Sequence, residues 1–417
     1  MAHPVAWKKV AIRELYEGLY DGPHATPKPS DQGPIFLGIG NITDDGHLNL
    51  KNSRHISEDE FGRWTKRVTP REGDIVFTYE ATLNRYAIIP KGFKGCLGRR
   101  LALIRPNPQR VDTRFLHYYF FGHEWRNLIE EKKLSGATVD RIPLTEFPTF
   151  PVVLPPLETQ RSISSTLSAY DDLIENNTRR IEILEEMARR LYEEWFVQFR
   201  FPGHEWVEFK ESELGLIPEG WEVVALEKAV EINPKTKVER DGEKVFVPMG
   251  ALSETGMVIS GWEIKSGNSG AKFQNGDTLV ARISPCLENG KTGFVDFLPA
   301  SQPTACGSTE FIVLRSRSLC PEMVYCLSRS DRFREVAMKS MSGATGRQRV
   351  RVESLVGYPI AQPEGELVAK YHAFAQPCFK EIRVLANKNA NLRQQRDLLL
   401  PKLISGEIDV SDIPMPT

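Results

Sequence analysis

The chain has 417 residues, 41% of them hydrophobic and 26% charged, with a mean hydropathy of −0.34 and a net charge of −1. That length exceeds one ordinary core and predicts two or three domains. No apolar run approaches the roughly 20 residues of a membrane span, and MAHPVAWKKVAIREL has no apolar core of the signal-peptide kind, so a cytoplasmic location is expected.

From the N-terminus, short β-branched and aromatic runs alternate with Gly/Pro turns. DIVFTY (74–79) and RLALIRP (100–106) read as strands, and TRFLHYYFFGHEWRNLIE (113–130) as one helix. After Leu154-Pro155-Pro156, apolar residues fall at Ile163, Leu167, Tyr170, Ile174, Ile181, Leu184, Ala188, Leu191 and Trp195. With Asn177 the steps alternate four and three, a heptad seam with Glu and Arg outside it. Pro156 suits the first turn. A second, poorer seam runs through Leu367, Tyr371, Phe374, Cys378, Ile382, Leu385, Asn389, Leu392, Leu399 and Leu403. Pro377 inside it should bend or break the helix at roughly 3 kcal/mol, and Gly406 is placed to end it.

The chain repeats itself. SGAT at Ser135–Thr138 returns at Ser342–Thr345, 207 residues on, and the same shift carries Glu146 onto Glu353 and Pro156 onto Pro363. IFLGIG answers VFVPMG, GDIVF at Gly73 answers GDTLV at Gly276, and Trp7-x-x-Val10 answers Trp221-x-x-Val224. Ordered matches with small drifts in offset mean duplication with loop insertions. Each unit is then an α+β domain followed by a long helix. If the first helix carries the chain out and the second returns along it, the pair forms an antiparallel coiled coil between two similar domains related by a pseudo-two-fold axis. The expected divisions are 1–156 (first domain), 157–199 (central helix), 200–220 (linker), 221–363 (second domain), 364–405 (distal helix) and 406–417 (tail). Thirty-nine helical residues span about 58 Å, about 17 base pairs of DNA. Asn177 and Asn389, one on each seam, are candidates for fixing register.

Charge is unevenly spread. Residues 63–110 carry +8 and residues 265–351 carry +6, whereas 158–196 carries −4. Two basic islands flanking an acidic helix suit phosphate contact in the domains. Specific reading needs long donors at base edges and Lys or Arg on phosphates. The candidates are Arg85, Lys91, Lys94, Arg99 and Arg100 beside Tyr79 and Tyr86, and in the second domain Arg282, Lys291, Arg347, Arg349 and Arg351. Gly136 and Gly343 would let backbone approach a phosphate.

Catalytic motifs are missing. Gly290-Lys291-Thr292 ends like a P-loop, but Pro285 holds the earlier glycine position, and Gly38-x-Gly40 lacks the third glycine of a dinucleotide fingerprint. No G-x-S-x-G occurs. Leu154-Pro155-Pro156-Leu157 lacks the polar residue and the ring of an adenine methyltransferase motif. The cysteines, Cys96, Cys286, Cys306, Cys320, Cys326 and Cys378, form no C-x-x-C pair, so buried reduced thiols and no metal site are expected.

At this point the residues resemble a known family. PTFPVVLPPLETQRSISSTLSAYDDLIENNTRRIEILEEMARRLYEEWFVQF is similar to the central conserved region of type I restriction–modification specificity subunits. ELGLIPEGWEVVAL (213–226) resembles the opening of that family's second target-recognition domain, and QQRDLLLPKLISGEI its distal conserved region. PIAQPEGE departs from the first unit's PVVLPPLETQ, which leaves the start of the second helix less defined. The resemblance implies a non-catalytic subunit with one target-recognition domain for each half of a split, gapped site in double-stranded DNA. Two methyltransferase subunits and restriction/translocase subunits are the implied partners, with S-adenosylmethionine, ATP and Mg bound by those partners and none by this chain. A coiled-coil scaffold without base readout and a nuclease with an unrecognised site are the alternatives.

Overall fold

The computed structural model describes residues 7–51, 53–135, 139–344 and 348–410. Its contacts divide into two compact units, one of residues up to 173 with those from 391 onward, the other of residues 174–390.

Both units are built to one plan. In the first, Tyr16–Asp21, Leu101–Pro106, Ile75–Thr78 and Tyr86–Ile88 form an antiparallel sheet in that order. In the second, Val230–Ile232, Phe311–Ser316, Thr278–Ala281 and Thr292–Phe294 do the same. Beside each lies a second sheet, three-stranded in the first unit and four-stranded in the second, that contains a parallel pair, Ser30–Leu37 with Gly95–Leu97 and Glu243–Val247 with Thr304–Gly307. Lys8–Ala11 pairs antiparallel with Pro151–Leu154, and Glu222–Ala225 with Pro359–Gln362. The repeated order of strands is what the sequence duplication requires.

One buried ion pair recurs at the same place in both units. Asp74, 1% exposed, accepts from Arg105 Nε at 2.8 Å and Nη2 at 2.9 Å, and from the Arg71 backbone N–H at 2.9 Å. Asp277, fully buried, accepts from Arg315 Nε and Nη2 at 2.7 Å and from the Gln274 N–H at 2.8 Å. These are the aspartates of GDIVF and GDTLV.

The helix expected over 113–130 is two, Thr113–Tyr119 and His123–Lys132. Gly122 opens the second, and a Cβ there would meet Ile404 Cγ2 at 3.2 Å and the Tyr119 carbonyl at 3.1 Å. Close packing against the distal helix therefore decides the break. That packing closes the first core: Ile163 and Leu167 of the central helix share it with Leu403 and Ile404.

The central helix runs Leu157–Tyr192 and ends in a π turn, Glu193–Val197; the distal helix runs Gly365–Ser405. The distal helix does not break at Pro377. Tyr371, Ala375, Phe379 and Ile382 are buried on both sides of it in the second core, and that burial outweighs the missing hydrogen bond. Phe374, expected on the seam, is 38% exposed, and Ala375 and Phe379 take the inward positions. Leu385 and Leu403 are buried, while Leu392 and Leu399 are half-buried. In the second unit the two helices lie antiparallel. Asn177 meets Asn389, Arg180 pairs with Glu381 at 3.3 Å, and the Ala188 carbonyl accepts from Tyr371 Oη at 3.0 Å. In the first unit Asp171 pairs with Arg396 at 2.6 Å.

The two seam asparagines hold each other. Asn177 Nδ2 donates to Asn389 Oδ1 at 2.9 Å, and Asn389 Nδ2 reaches the Ile174 carbonyl at 3.3 Å and Thr178 Oγ1 at 3.1 Å. Asn389 is 3% exposed. Asn389→Ala strands these partners and is expected to cost about 1–3 kcal/mol, read as a lower urea midpoint. Replacing both by leucine should regain stability and loosen the register, visible as several cross-linking patterns between cysteine pairs placed along the seam.

A second expectation concerns acid. Burial pushes His117 down to about 4, with the Tyr86 carbonyl at 3.3 Å and Asp171 pulling partly back and His47 adding to the fall. The unfolded chain therefore takes up this proton first. Its contribution is complete above about pH 6.5 and is lost as pH falls towards 4. His117→Gln should flatten the first unit's stability over that window by roughly 2–3 kcal/mol, measured as urea midpoints at pH 7.5 and 4.5.

Candidate nucleic-acid interface

Each unit opens a polar cleft. Both include residues that follow the last strand of the parallel pair and the first strand of the four-stranded sheet, while Gly38–Asn41, Asn49, Lys51 and Arg54 of the first and Gly270–Lys272 and Arg282 of the second come from segments that do not correspond. The first cleft, about 420 Å³, is lined by Thr26, Phe36, Gly38–Asn41, Asn49, Lys51, Arg54 and Gly98–Arg100. The second, about 600 Å³, is lined by Asn233–Thr236, Gly270–Lys272, Arg282, Thr309, Phe311 and Val313. Neither lining contains a carboxylate residue, while the first has four Lys or Arg and the second three. Such concavities focus positive potential and attract anions.

Local structure fixes the walls. Asn41 Oδ1 accepts from the Gly38 N–H at 2.8 Å and its Nδ2 donates to the Asn49 carbonyl at 2.9 Å, which holds the turn after the strand. Gly98 has no room for a side chain, since a Cβ would stand 2.3 Å from the Leu37 carbonyl oxygen. Gly270, at φ +96°, would put one 1.9 Å from the Gly307 oxygen. In the second cleft Asn233 Oδ1 accepts from the Val313 N–H at 2.9 Å, and Thr236 Oγ1 accepts from Arg315, which ties the rim to the buried pair with Asp277.

Of the residues expected to touch DNA, Arg99 and Arg100 line the first cleft and Arg282 the second. Arg99 is exposed; Arg100, at φ +73°, leans on Glu80 at 3.6 Å. Arg282 stands 3.8 Å from Glu310. The rest lie elsewhere. Tyr79 and Tyr86 require correction: both are buried in the first core, and Tyr86 Oη accepts from Trp125 Nε1 at 2.8 Å. A ring so packed cannot stack on a base. Arg85 is half-buried and donates to the Ile42 carbonyl at 3.1 Å, bracing the cleft turn from behind. Lys94 is exposed and bound to Glu58 at 2.7 Å, and Lys91 is exposed outside the cleft lining. Lys291 is half-buried near the Met249 carbonyl at 3.5 Å, Arg349 is held by Glu310 at 2.7 Å, and Arg351 bonds Ser342 Oγ at 3.1 Å. Gly343 is exposed at φ +125°. Gly136 and Arg347 lie outside the described residues.

Sequence reasoning missed Lys51, Arg54, Lys235 and Lys272 as cleft cations. Lys51 and Arg54 precede the first basic window, and Lys235 precedes the second. None of the four adjoins the end of a matched motif, so the repeat did not single them out.

Comparison with known proteins follows the same lines. Residues 4–186 match the type I restriction modification DNA specificity domain. The MjaIX type I restriction enzyme specificity subunit of Methanocaldococcus jannaschii is 26% identical over 96% of this chain and 90% of its own length. The HindI specificity subunit of Haemophilus influenzae is 22% identical over 90% and 94%. The EcoEI specificity subunit of Escherichia coli reaches 33%, over 35% of this chain and 26% of its own. Among solved structures, a type I restriction–modification S subunit from M. genitalium superposes with a TM-score of 0.56 at 16% identity, over 97% of both chains, and so shares the fold. Among the described residues no helix is long and apolar enough to cross a membrane. With the duplicated fold, the paired helices and these relatives in agreement, residues 4–186 carry a type I restriction modification DNA specificity domain, and the chain is similar along nearly its whole length to type I restriction enzyme specificity subunits.

Proposed function

We propose that this chain reads a split, gapped DNA target, each α+β domain taking one half, and directs partner enzymes to it without doing chemistry itself. The observation that carries this reading is a cationic cleft without carboxylates in each unit of a duplicated fold. Two copies of one reading domain in one chain suit two half-sites, and a scaffold without base readout has no use for a cationic cleft in each. On this reading two methyltransferase subunits modify the target with S-adenosylmethionine. Restriction/translocase subunits cleave with ATP and Mg, the cofactors bound by those partners, and the complex works in the cytoplasm.

Expressing the chain with its neighbouring methyltransferase in a methylation-free host, and mapping modified adenines genome-wide, tests this directly. A bipartite motif with a fixed gap is the expected result, and exchanging residues 1–156 for those of a relative should alter one half only. An assembled complex that modifies no motif would overturn it.

A further inference from the structure

The second unit buries a carboxylate where the first exposes an arginine. Glu322, 3% exposed, stands in the first turn of the helix Pro321–Arg329. The N-cap residues Asp112 and Cys320 align the corresponding helices of the two units with a shift of 208, which sets Glu322 opposite Arg114, an exposed residue. Burying a carboxylate is costly unless a counter-charge meets it. Among the described residues no Lys or Arg pairs with Glu322; its ion-pair partner is His372 of the distal helix, Nδ1 to Oε2 at 2.8 Å. Cys320, the N-cap residue of the same short helix, completes the group and is itself buried at 7% exposure. One ligand atom from each of the three lies within 4.8 Å of the other two. At the same shift the first unit has Asp112, Arg114 and Ser164, so the trio is peculiar to the second unit.

We propose that Cys320, Glu322 and His372 form a binding site for a zinc-type divalent cation, with water from the exposed side of His372 as the fourth ligand. Zinc takes sulfur at about 2.3 Å, imidazole nitrogen at about 2.0–2.1 Å and carboxylate oxygen at about 2.0–2.2 Å. On a tetrahedron of those bond lengths the ligand atoms stand roughly 3.3–3.8 Å apart. The trio reaches that spacing if the sulfur moves in by about an ångström and the Glu322–His372 contact opens slightly. A thiolate and a carboxylate balance a divalent charge, which removes the buried excess. The thiolate also selects zinc over magnesium or calcium. Binding releases the thiol proton, so affinity falls as pH drops. The cation would clip the helix Pro321–Arg329 to the distal helix.

The test is Co²⁺ titration of the untagged full chain after removal of metal, under reducing conditions. One equivalent should produce a thiolate-to-cobalt band in the near ultraviolet with tetrahedral visible bands, and Zn²⁺ should abolish both. Cys320→Ser should lose the near-ultraviolet band, whereas Cys286→Ser, which removes the one half-exposed cysteine, should keep it. His372→Gln alters a partly exposed side chain and keeps the fold accessible if Cys320→Ser does not fold; it should weaken binding at least about tenfold. No near-ultraviolet band in the folded chain, a band that survives Cys320→Ser, or undiminished affinity in His372→Gln would each overturn the proposal.

Discussion

Asp277→Ala is expected to destabilise the second unit by about 3–5 kcal/mol, as breaking a buried pair does when one charge is left behind. The magnitude follows from the geometry. Arg315 donates both Nε and Nη2 to a carboxylate with no exposure, and its own side chain is 20% exposed. Removing the carboxylate leaves a guanidinium in the sheet and frees the Gln274 N–H. A loss of that size rivals the whole stability of a typical domain. Because the chain has two compact units, one unfolding transition is the wrong observable. Amide hydrogen exchange resolved by residue should show protection falling in the sheet containing Thr278–Ala281 while Ile75–Thr78 keeps its own. Asp74→Ala should do the converse, since Arg105 grips Asp74 in the same bidentate way. Asp277→Leu with Arg315→Met tests whether the pair is worth its burial. Replacement of both partners by apolar groups should restore most of the loss. A cost below about 1 kcal/mol for Asp277→Ala would mean that the arginine finds water, contrary to its enclosure.

This pair also shows what the sequence could and could not disclose. GDIVF and GDTLV mark the duplication, and periodicity places the strands Ile75–Thr78 and Leu101–Pro106 and both long helices, because a repeating face must be buried somewhere. Asn177 and Asn389 stand out as polar residues on apolar seams, and they meet in the structure. Charge counting fares worse. Arg105 adds to the first basic island on paper, yet its charge is spent on Asp74; Lys94 is committed to Glu58, and Arg349 to Glu310. Each partner lies more than thirty residues away in sequence, so a net count, although it includes Asp74 and Glu310, cannot tell which cations are committed. Tyr79 and Tyr86 fail for a related reason. An aromatic beside a glycine-rich loop looks available, but the core of the first domain is assembled from rings, with Tyr86 tilted against Phe120 at 4.6 Å and bonded by Trp125. Phe120 and Trp125 come from the segment in which Gly122 interrupts the expected single helix, so the break and the burial of Tyr86 were hidden together.

The second large effect should appear at the clefts. Arg54 and Arg99 are exposed on the first cleft, and reversing both to glutamate leaves the buried core of that unit untouched. If each contacts one phosphate, loss of two contacts lowers affinity on the order of 50-fold at ~0.1 M salt, and the slope of log K against log salt shrinks by nearly two. Lys235→Glu with Lys272→Glu should do the same from the second cleft. Comparing target and unrelated duplex then assigns the roles. An equal loss on both marks these cations as phosphate contacts, which position the domain without reading it. A loss confined to the target, with the salt slope nearly unchanged, marks them as readers of base edges. The same variants separate the two domains in the methylation map. Weakening one cleft should make modification tolerant of changes in one half of a bipartite motif and leave the other half strict, because each mismatch costs only what its own domain recognises. If both halves relax together, or if neither variant alters binding while the fold is retained, the clefts are not the reading surfaces and the contacts lie on another face of the domains.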